Sequence, residues 1–275
     1  MAVRILISAD MEGATGVTAT TDVVPGTEAW QRFRRLLTAD VNACVDGLHT
    51  GGATDVLVNE AHSSQRNLLI EDLDPRARLL TGRHKPLSMM QGIDTGVDGV
   101  VFLGYHTGAG APGVLAHTYL ENSITEVRLD GAPASEGRLN AALAHEHGVP
   151  VILVTGDDLT CAEAPDFGAI AAPVKTCVSR YAAICDPPAV TTARITDAAR
   201  RAMTRAGRRT PTTAPHRVEV DFDATHLADA AAVIPTVDLT APRTVAYTAP
   251  TMTDAMKTFK IVTTIAARAI DGLYG

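Results

Sequence analysis

Aromatic residues make up only 4% of the 275-residue chain, which argues against the stacked aromatic platforms that bind single-stranded nucleic acid. Positive charge is also short. With 24 Lys and Arg against 31 Asp and Glu, the formal charge is -7, which speaks against a general nucleic-acid or anionic-membrane surface. Arg200, Arg201, Arg205, Arg208 and Arg209 read as the solvated face and last turn of a helix rather than as a binding patch. The four cysteines, Cys44, Cys161, Cys177 and Cys185, have no C-x-x-C spacing, so neither a zinc ribbon nor a thioredoxin motif is present. No apolar run approaches the roughly 20 residues that span a bilayer. The most apolar helical stretch, residues 261–270, is flanked by Lys260 and interrupted by Arg268, and reads as a core helix. Met1 leads almost directly into the first strand without the charged, apolar and small-residue regions of a signal peptide, so a cytoplasmic location is expected.

What is present is ordinarily globular: 46% hydrophobic and 20% charged residues can fill a well-buried core. Residues 3–7 form a β-rich run dense enough to be buried on both faces of a sheet. Trp30, Phe33, Leu37, Val41, Cys44 and Leu48 recur at helical spacing over 27–49, and Gly51-Gly52 ends the pattern. Strands are expected at 55–59, 78–81 and 99–103, a hairpin-like excursion from 124, a helix over 135–146 and a buried strand over 150–155. A helix over 188–206 leads into the polar stretch 207–215. Beyond it lie a strand at 217–222, a helix at 224–233, a strand at 243–248 and a last helix from 251. The alternation predicts an α/β fold: a mostly parallel, Rossmann-like sheet flanked by helices, with a second, smaller α/β domain. The expected division is an N-terminal catalytic domain over 1–155 and a C-terminal domain over 156–275, with the boundary between 155 and 215.

Chemistry gathers at the predicted strand ends. Ser8-Ala9-Asp10-Met11-Glu12-Gly13 sets two carboxylates after the first strand, His62 follows the second in Asn59-Glu60-Ala61-His62-Ser63, and His106 follows the fourth in Gly104-Tyr105-His106. Any one of these is ordinary as a turn acid or surface histidine. Strands of one parallel sheet, however, point their carboxyl ends at the same crevice, where ligands collect. Among the remaining histidines, His117 follows a short apolar segment close to His106 and suits acid-base or nucleophilic chemistry, with a core histidine as the plain reading. Glu136 opens the 135–146 helix, where dipole complementation explains it locally. A third carboxylate would also complete a two-metal set. Three carboxylates and two imidazoles suit a pair of divalent ions, zinc first and manganese or cobalt next, and such a pair implies hydrolysis. The stretch Gly108-Ala109-Gly110-Ala111-Pro112-Gly113 satisfies G-x-G-x-x-G, but Pro112 and Gly113 stand where a helix should open and Val114 onward looks extended. A glycine loop bordering the crevice is the better reading than a dinucleotide site.

SADMEG, NEAHS, GYH, PGVLAHT and EGRLN in this order give the chain a resemblance to the DppA-type D-aminopeptidases, the M55 metallopeptidase family. Lys85-Pro86-Leu87-Ser88-Met89, Gly156-Asp157-Asp158, and Val174-Lys175 with Ser179-Arg180 add to the likeness, which runs nearly end to end. The resemblance implies that Asp10, Glu12, His62, His106 and Glu136 bind two zinc ions per subunit, with Asp10 bridging, and that His117 is the catalytic histidine. It implies removal of an N-terminal residue, D in configuration, from short peptides or amides, by a two-domain subunit in a ring-like homo-oligomer, a decamer in form. Glu60 stands where the family commonly has Asp, so its longer arm is expected either to shift the His62 ligand or to support it from behind. Readings that keep the metals but change the task are an amidase, an L-specific peptidase, and a peptide-binding protein with a structural metal site.

Overall fold

A computed structural model describes residues 2–270. Along the chain the elements are β1 (Arg4–Ala9), α1 (Thr20–Val23), α2 (Glu28–Thr50), β2 (Asp55–Glu60), β3 (Ala77–Leu80), β4 (Gly99–Leu103), β5 (Ile124–Leu129) and β6 (Ala132–Pro133). There follow α3 (Glu136–Glu146), β7 (Val151–Asp157), α4 (Asp158–Cys161), α5 (Ala164–Phe167), β8 (Ile170–Ser179), β9 (Ala182–Cys185) and α6 (Pro188–Ala202). The last are β10 (His216–Phe222), α7 (Thr225–Ala231), β11 (Asp238–Ala241), β12 (Thr244–Ala249) and α8 (Met252–Ala269).

The larger sheet has seven strands in the order β3-β2-β1-β4-β7-β8-β9, parallel throughout except for the antiparallel β8–β9 edge. Its central strands β4 and β7 are buried along their whole length, as their uninterrupted Val, Ile and Leu require of strands covered on both faces. The order reverses direction at β1, which pairs with β2 on one side and β4 on the other. Loops leaving β1, β2 and β4 therefore open at a switch point, the usual crevice for ligands in such sheets. The smaller sheet, β11-β12-β10-β5-β6, is antiparallel. Its buried Val218, Val220 and Phe222 share a core with Phe102, Leu139 and Phe259, so the two sheets meet through α3 and α8. Glu146, at the end of α3, accepts hydrogen bonds from the Met252 and Thr253 amides at the start of α8, satisfying groups that a helix terminus leaves unpaired.

The sheets do not divide the chain at one point. The hairpin β5–β6 belongs to the smaller sheet although it precedes α3 and β7, so the smaller sheet takes strands from both sides of any cut between 155 and 215. Strands β8 and β9, residues 170–185, extend the larger sheet. Neither was visible in the hydrophobic pattern. β8 carries Pro173 and Lys175 and alternates irregularly between buried and exposed, and β9 is mostly exposed.

On the outer face α2 packs against α6, and the contact is close enough that a Cβ on Gly47 would lie 2.2 Å from the Thr196 carbonyl. A buried polar knot sits beside it. Asp40 of α2 accepts from the Thr15 amide at 2.8 Å and from the Thr15 hydroxyl at 2.8 Å, and that hydroxyl lies 2.9 Å from Thr191 of α6. Burial raises the Asp40 carboxyl to about 6 despite these bonds. A raised acid favours the folded state below its ordinary pKa and withdraws that support as pH climbs through the folded value. Unfolding free energy should therefore fall by about 2 kcal/mol between pH 4 and pH 7 through this group. In Asp40→Asn that share of the pH dependence should vanish from denaturant titrations run across the same range.

Candidate metal centre

The β1 strand ends at Ala9, and the turn that follows is built by main-chain bonds across to β4: the Asp10 amide donates to the Leu103 carbonyl and the Gly13 amide to the Gly104 carbonyl, both at 2.8 Å. Gly13 is required here, since a Cβ would fall 1.9 Å from the Tyr105 carbonyl. From below, the buried Lys175 ammonium of β8 donates to the carbonyls of Glu12, Ala14 and Val17 at 2.6, 3.0 and 2.7 Å. Three acceptors on one cation fix the backbone that aims Asp10 and Glu12.

Glu60 turns away from the acids. Its carboxylate accepts from the Asn67 and Leu68 amides at 2.7 and 2.8 Å, while the Asn67 side chain donates to the His62 carbonyl at 2.8 Å. Of the two roles expected for its longer arm, it takes the supporting one, holding the loop that carries His62. On the other side, the Ser8 hydroxyl lies 2.7 Å from the Met89 carbonyl and 2.7 Å from the Tyr105 hydroxyl, and Asn140 donates to Tyr105 at 3.0 Å. A carbonyl only accepts, so Ser8 donates to Met89 and Tyr105 donates to Ser8. This chain locks α3 against β1 and β4. Ser135 caps α3 by accepting from the Arg138 amide, which leaves Glu136 in the first turn, facing the crevice.

The structure brings together all six residues singled out from the sequence around one cavity of about 650 Å³. His62 Nδ1 lies 3.0 Å from Glu12 and 3.4 Å from Asp10, while His106 Nε2 lies 3.5 Å from Asp10 and 3.7 Å from Glu136. His117 Nε2 is 3.8 Å from Glu12, and its ring stacks on that of His106 with centroids 4.2 Å apart. Each imidazole is oriented by a main-chain carbonyl at 2.9 Å: Val23 for His62, Thr107 for His106 and Leu115 for His117. The nitrogen facing a carbonyl must be the donor, so in the neutral ring the opposite nitrogen turns a bare lone pair toward the carboxylates. Lone pair facing anion is repulsive unless a cation lies between. Asp10 Oδ2 and Glu12 Oε2 are also buried without any hydrogen-bond partner, which is costly for a carboxylate oxygen unless a cation meets it.

Titration expresses the same conflict. Burial pulls His106 down, but Glu136, Asp10 and Glu12 more than reverse this and push it up to about 10. His62 likewise is held well above its ordinary value, burial being outweighed by Glu12 and Asp10. Glu12 goes the other way: burial opposes its charge, yet His62 with His106 and His117 holds it well below the usual carboxylate range. Burial raises Glu136 to about 7, with the His106 charge opposing. Burial and the neighbouring His106 charge depress His117 to about 4, leaving a neutral ring. Two donor groups, Asp10 with Glu12 and His62, and Asp10 with His106 and Glu136, each converge to within 4.8 Å and share Asp10. A third such group joins Glu12, His106 and His117. Carboxylates and neutral imidazoles in this arrangement fit borderline divalent cations, which would replace the protons on His62 and His106.

Residues 108–113 open no helix, which removes the dinucleotide reading, and Val114 and Leu115 form a turn rather than an extended segment, with Leu115 at φ 52°. The Val114 amide is taken by the Asp157 carboxylate at 2.7 Å, and this side-chain bond stands where a strand partner would be. His216, which has no partner in its local sequence, lies 2.8 Å from Asp130 across the smaller sheet, because β10 returns beside β5.

An α/β sheet whose switch point gathers buried acids and imidazoles defines a hydrolytic enzyme built around divalent-metal donors. The profile of the D-aminopeptidase family, peptidase M55, matches residues 3–261, and the chain belongs to that family. It is similar to a D-aminopeptidase of Bacillus subtilis (strain 168), with 33% identity over 270 residues, 96% of this chain and 98% of the relative. In structure it resembles the DppA enzyme of Bacillus subtilis, described as a Zn-dependent D-aminopeptidase and self-compartmentalizing protease. The TM-score is 0.92 at 32% identity, over 97% of this chain and 98% of that one. The chain is therefore a peptidase.

Sequence reasoning assigned no role to Lys175, whose single charge in a weakly patterned strand gives no local sign of burial. Lys175→Met should leave three carbonyls without their donor and lower unfolding free energy by about 3 kcal/mol or more in urea titrations. Hydrogen exchange at the amides of residues 13–17 should quicken in the same variant, whereas a lysine with only local influence would leave them protected.

Proposed function

We propose that the chain is a dinuclear zinc aminopeptidase that releases an N-terminal residue, D in configuration, from short peptides. The observation that carries this reading is the pair of donor groups joined by Asp10 at the floor of a peptide-sized cavity. Asp10, Glu12 and His62 would hold one ion, and Asp10, His106 and Glu136 the other, with zinc favoured over manganese or cobalt by the imidazole content and by the zinc dependence of the Bacillus subtilis relative. When bound, such a pair polarises a peptide carbonyl and supplies a strong oxygen nucleophile at neutral pH.

The chain's own groups do the rest. His117 is neutral, donates through Nδ1 to the Leu115 carbonyl, and so presents Nε2 as a base toward the cavity. In that position it takes a proton as the peptide carbonyl is attacked and returns it to the departing amine. The substrate's free amine would be held at this donor cluster, beside a carboxylate or a metal, which makes an unblocked N-terminus a requirement. Configuration is chosen by the shape of the wall around the first side chain.

Assembly belongs to the same reading. The relative is described as self-compartmentalizing, and a ring-like homo-oligomer, decameric in the fullest form, would enclose the cavities of several subunits. Residues 156–275 contribute Arg180, Tyr181 and Lys260 to the cavity wall, which supports a role for this part of the chain in the substrate pocket as well as in subunit contacts. No helix among the described residues is long and apolar enough to cross a membrane.

Metal analysis and hydrolysis of stereoisomeric dipeptides on one preparation test the proposal. Zinc should be found at two per subunit, chelation should abolish turnover and zinc should restore it. His117→Ala should keep both ions yet lose turnover by about 100-fold or more, whereas Asp10→Asn should lose the ions. Full activity after exhaustive chelation, or equal cleavage of N-acetylated peptides, would overturn the reading.

A further inference from the structure

The metal-donor acids of the cavity are buried, while its more exposed lining carries more basic than acidic residues, with Arg83, Arg180, Lys260 and Arg268 against Glu121. Arg83, from the loop after β3, and Lys260, from the middle of α8, both line the cavity. Lys260 donates to the Lys85 carbonyl at 2.5 Å, and the Arg83 guanidinium donates to the Ser63 carbonyl. Neither approaches a carboxylate within 4.0 Å among the described residues. Lys260 is half-buried, and its pKa is lowered first by that burial and then by repulsion from Arg83. Two cations thus converge from the loop after β3 and from α8, each donating to a neutral carbonyl. Buried Lys85 beneath them adds a third positive charge, held by Asn59 and by the carbonyl of Glu60. Holding like charges together without an acid costs stability, and the cost is recovered when an anion enters.

We propose that Arg83 and Lys260 form a carboxylate clamp that binds the free C-terminus of the substrate. For the substrate's orientation this rests on the aminopeptidase reading. With the free amine at the metal-donor floor and the carboxylate end at Arg83 and Lys260, a short peptide is held at both ends. Each residue of extended chain spans about 3.5 Å, so a clamp at a fixed place on the wall suits a narrow range of peptide lengths. The clamp therefore makes the enzyme a measurer of length. Longer peptides and peptides with a blocked C-terminus lose a charge-assisted pair of hydrogen bonds.

The test compares a D-alanyl dipeptide with its C-terminal amide, in the zinc-loaded wild type and in Lys260→Met, Lys260→Arg and Arg83→Gln. In the wild type the free acid should exceed the amide by about tenfold or more in kcat/KM, mainly through KM. That ratio should fall toward one in Lys260→Met and Arg83→Gln and be largely kept in Lys260→Arg. An acid-to-amide ratio near one in the wild type, or a ratio unchanged in Lys260→Met and Arg83→Gln, overturns the clamp while leaving the aminopeptidase reading intact. If neither compound is cleaved, the function reading fails instead. Calorimetric binding of the same two compounds then decides the clamp: tighter binding of the acid, lost in Lys260→Met, supports it, and equal binding overturns it.

Discussion

Everything in this structure answers to one electrostatic constraint: three carboxylates and the lone pairs of three imidazoles are crowded into a buried space at the end of β1. Such a space is unstable by itself. Left to side-chain flexibility, the acids would turn to water and the rings would rotate to find better partners. The surrounding bonds deny them that. Lys175 fixes the turn bearing Asp10 and Glu12, Glu60 fixes the loop bearing His62, the Ser8, Tyr105 and Asn140 chain fixes the helix bearing Glu136, and main-chain carbonyls fix the three rings. Each bond spends local order on keeping repulsive groups together, which is the ordinary cost of a preorganised metal site.

The two sheets have different shares in this arrangement. The parallel sheet supplies the floor, because its switch point delivers the loops of β1, β2 and β4 to one place. The antiparallel sheet supplies α8 and, through the hairpin before α3, the approach to Glu136. Charge follows that division in part: the floor holds the buried acids, while Arg83 and Lys260 line the cavity nearer solvent, although the chain as a whole is negative.

Much of this was legible beforehand. Strands such as β1 and β4 are continuous apolar runs, and α2 shows its buried face at every third or fourth residue, so the parallel sheet and its helices follow from pattern alone. Asp10, Glu12, His62 and His106 stood out because chemistry at strand ends is constrained by topology, Glu136 and His117 gained their weight from the family resemblance, and the structure brings all six candidates to one cavity. What escaped notice has physical reasons. β8 and β9 lie at a sheet edge where half the side chains meet water, so their hydrophobic signal is thin, and β11 is exposed along its length. Lys175 and Lys85 look like surface charges in sequence because nothing local reveals that their partners include main-chain groups from distant segments. The hairpin β5–β6 was visible, but not its allegiance, which depends on β10 pairing with it across some ninety residues, Leu129 with Val218.

That long-range pairing has a bearing on how the molecule comes into being. Synthesis delivers Asp10, Glu12, His62, His106 and Glu136 well before Lys175, and β5 long before β10. A nascent chain therefore carries the turn of Asp10 and Glu12 without its cation until Lys175, 163 residues beyond Glu12, is made, and carries β5 without β10 for about ninety residues.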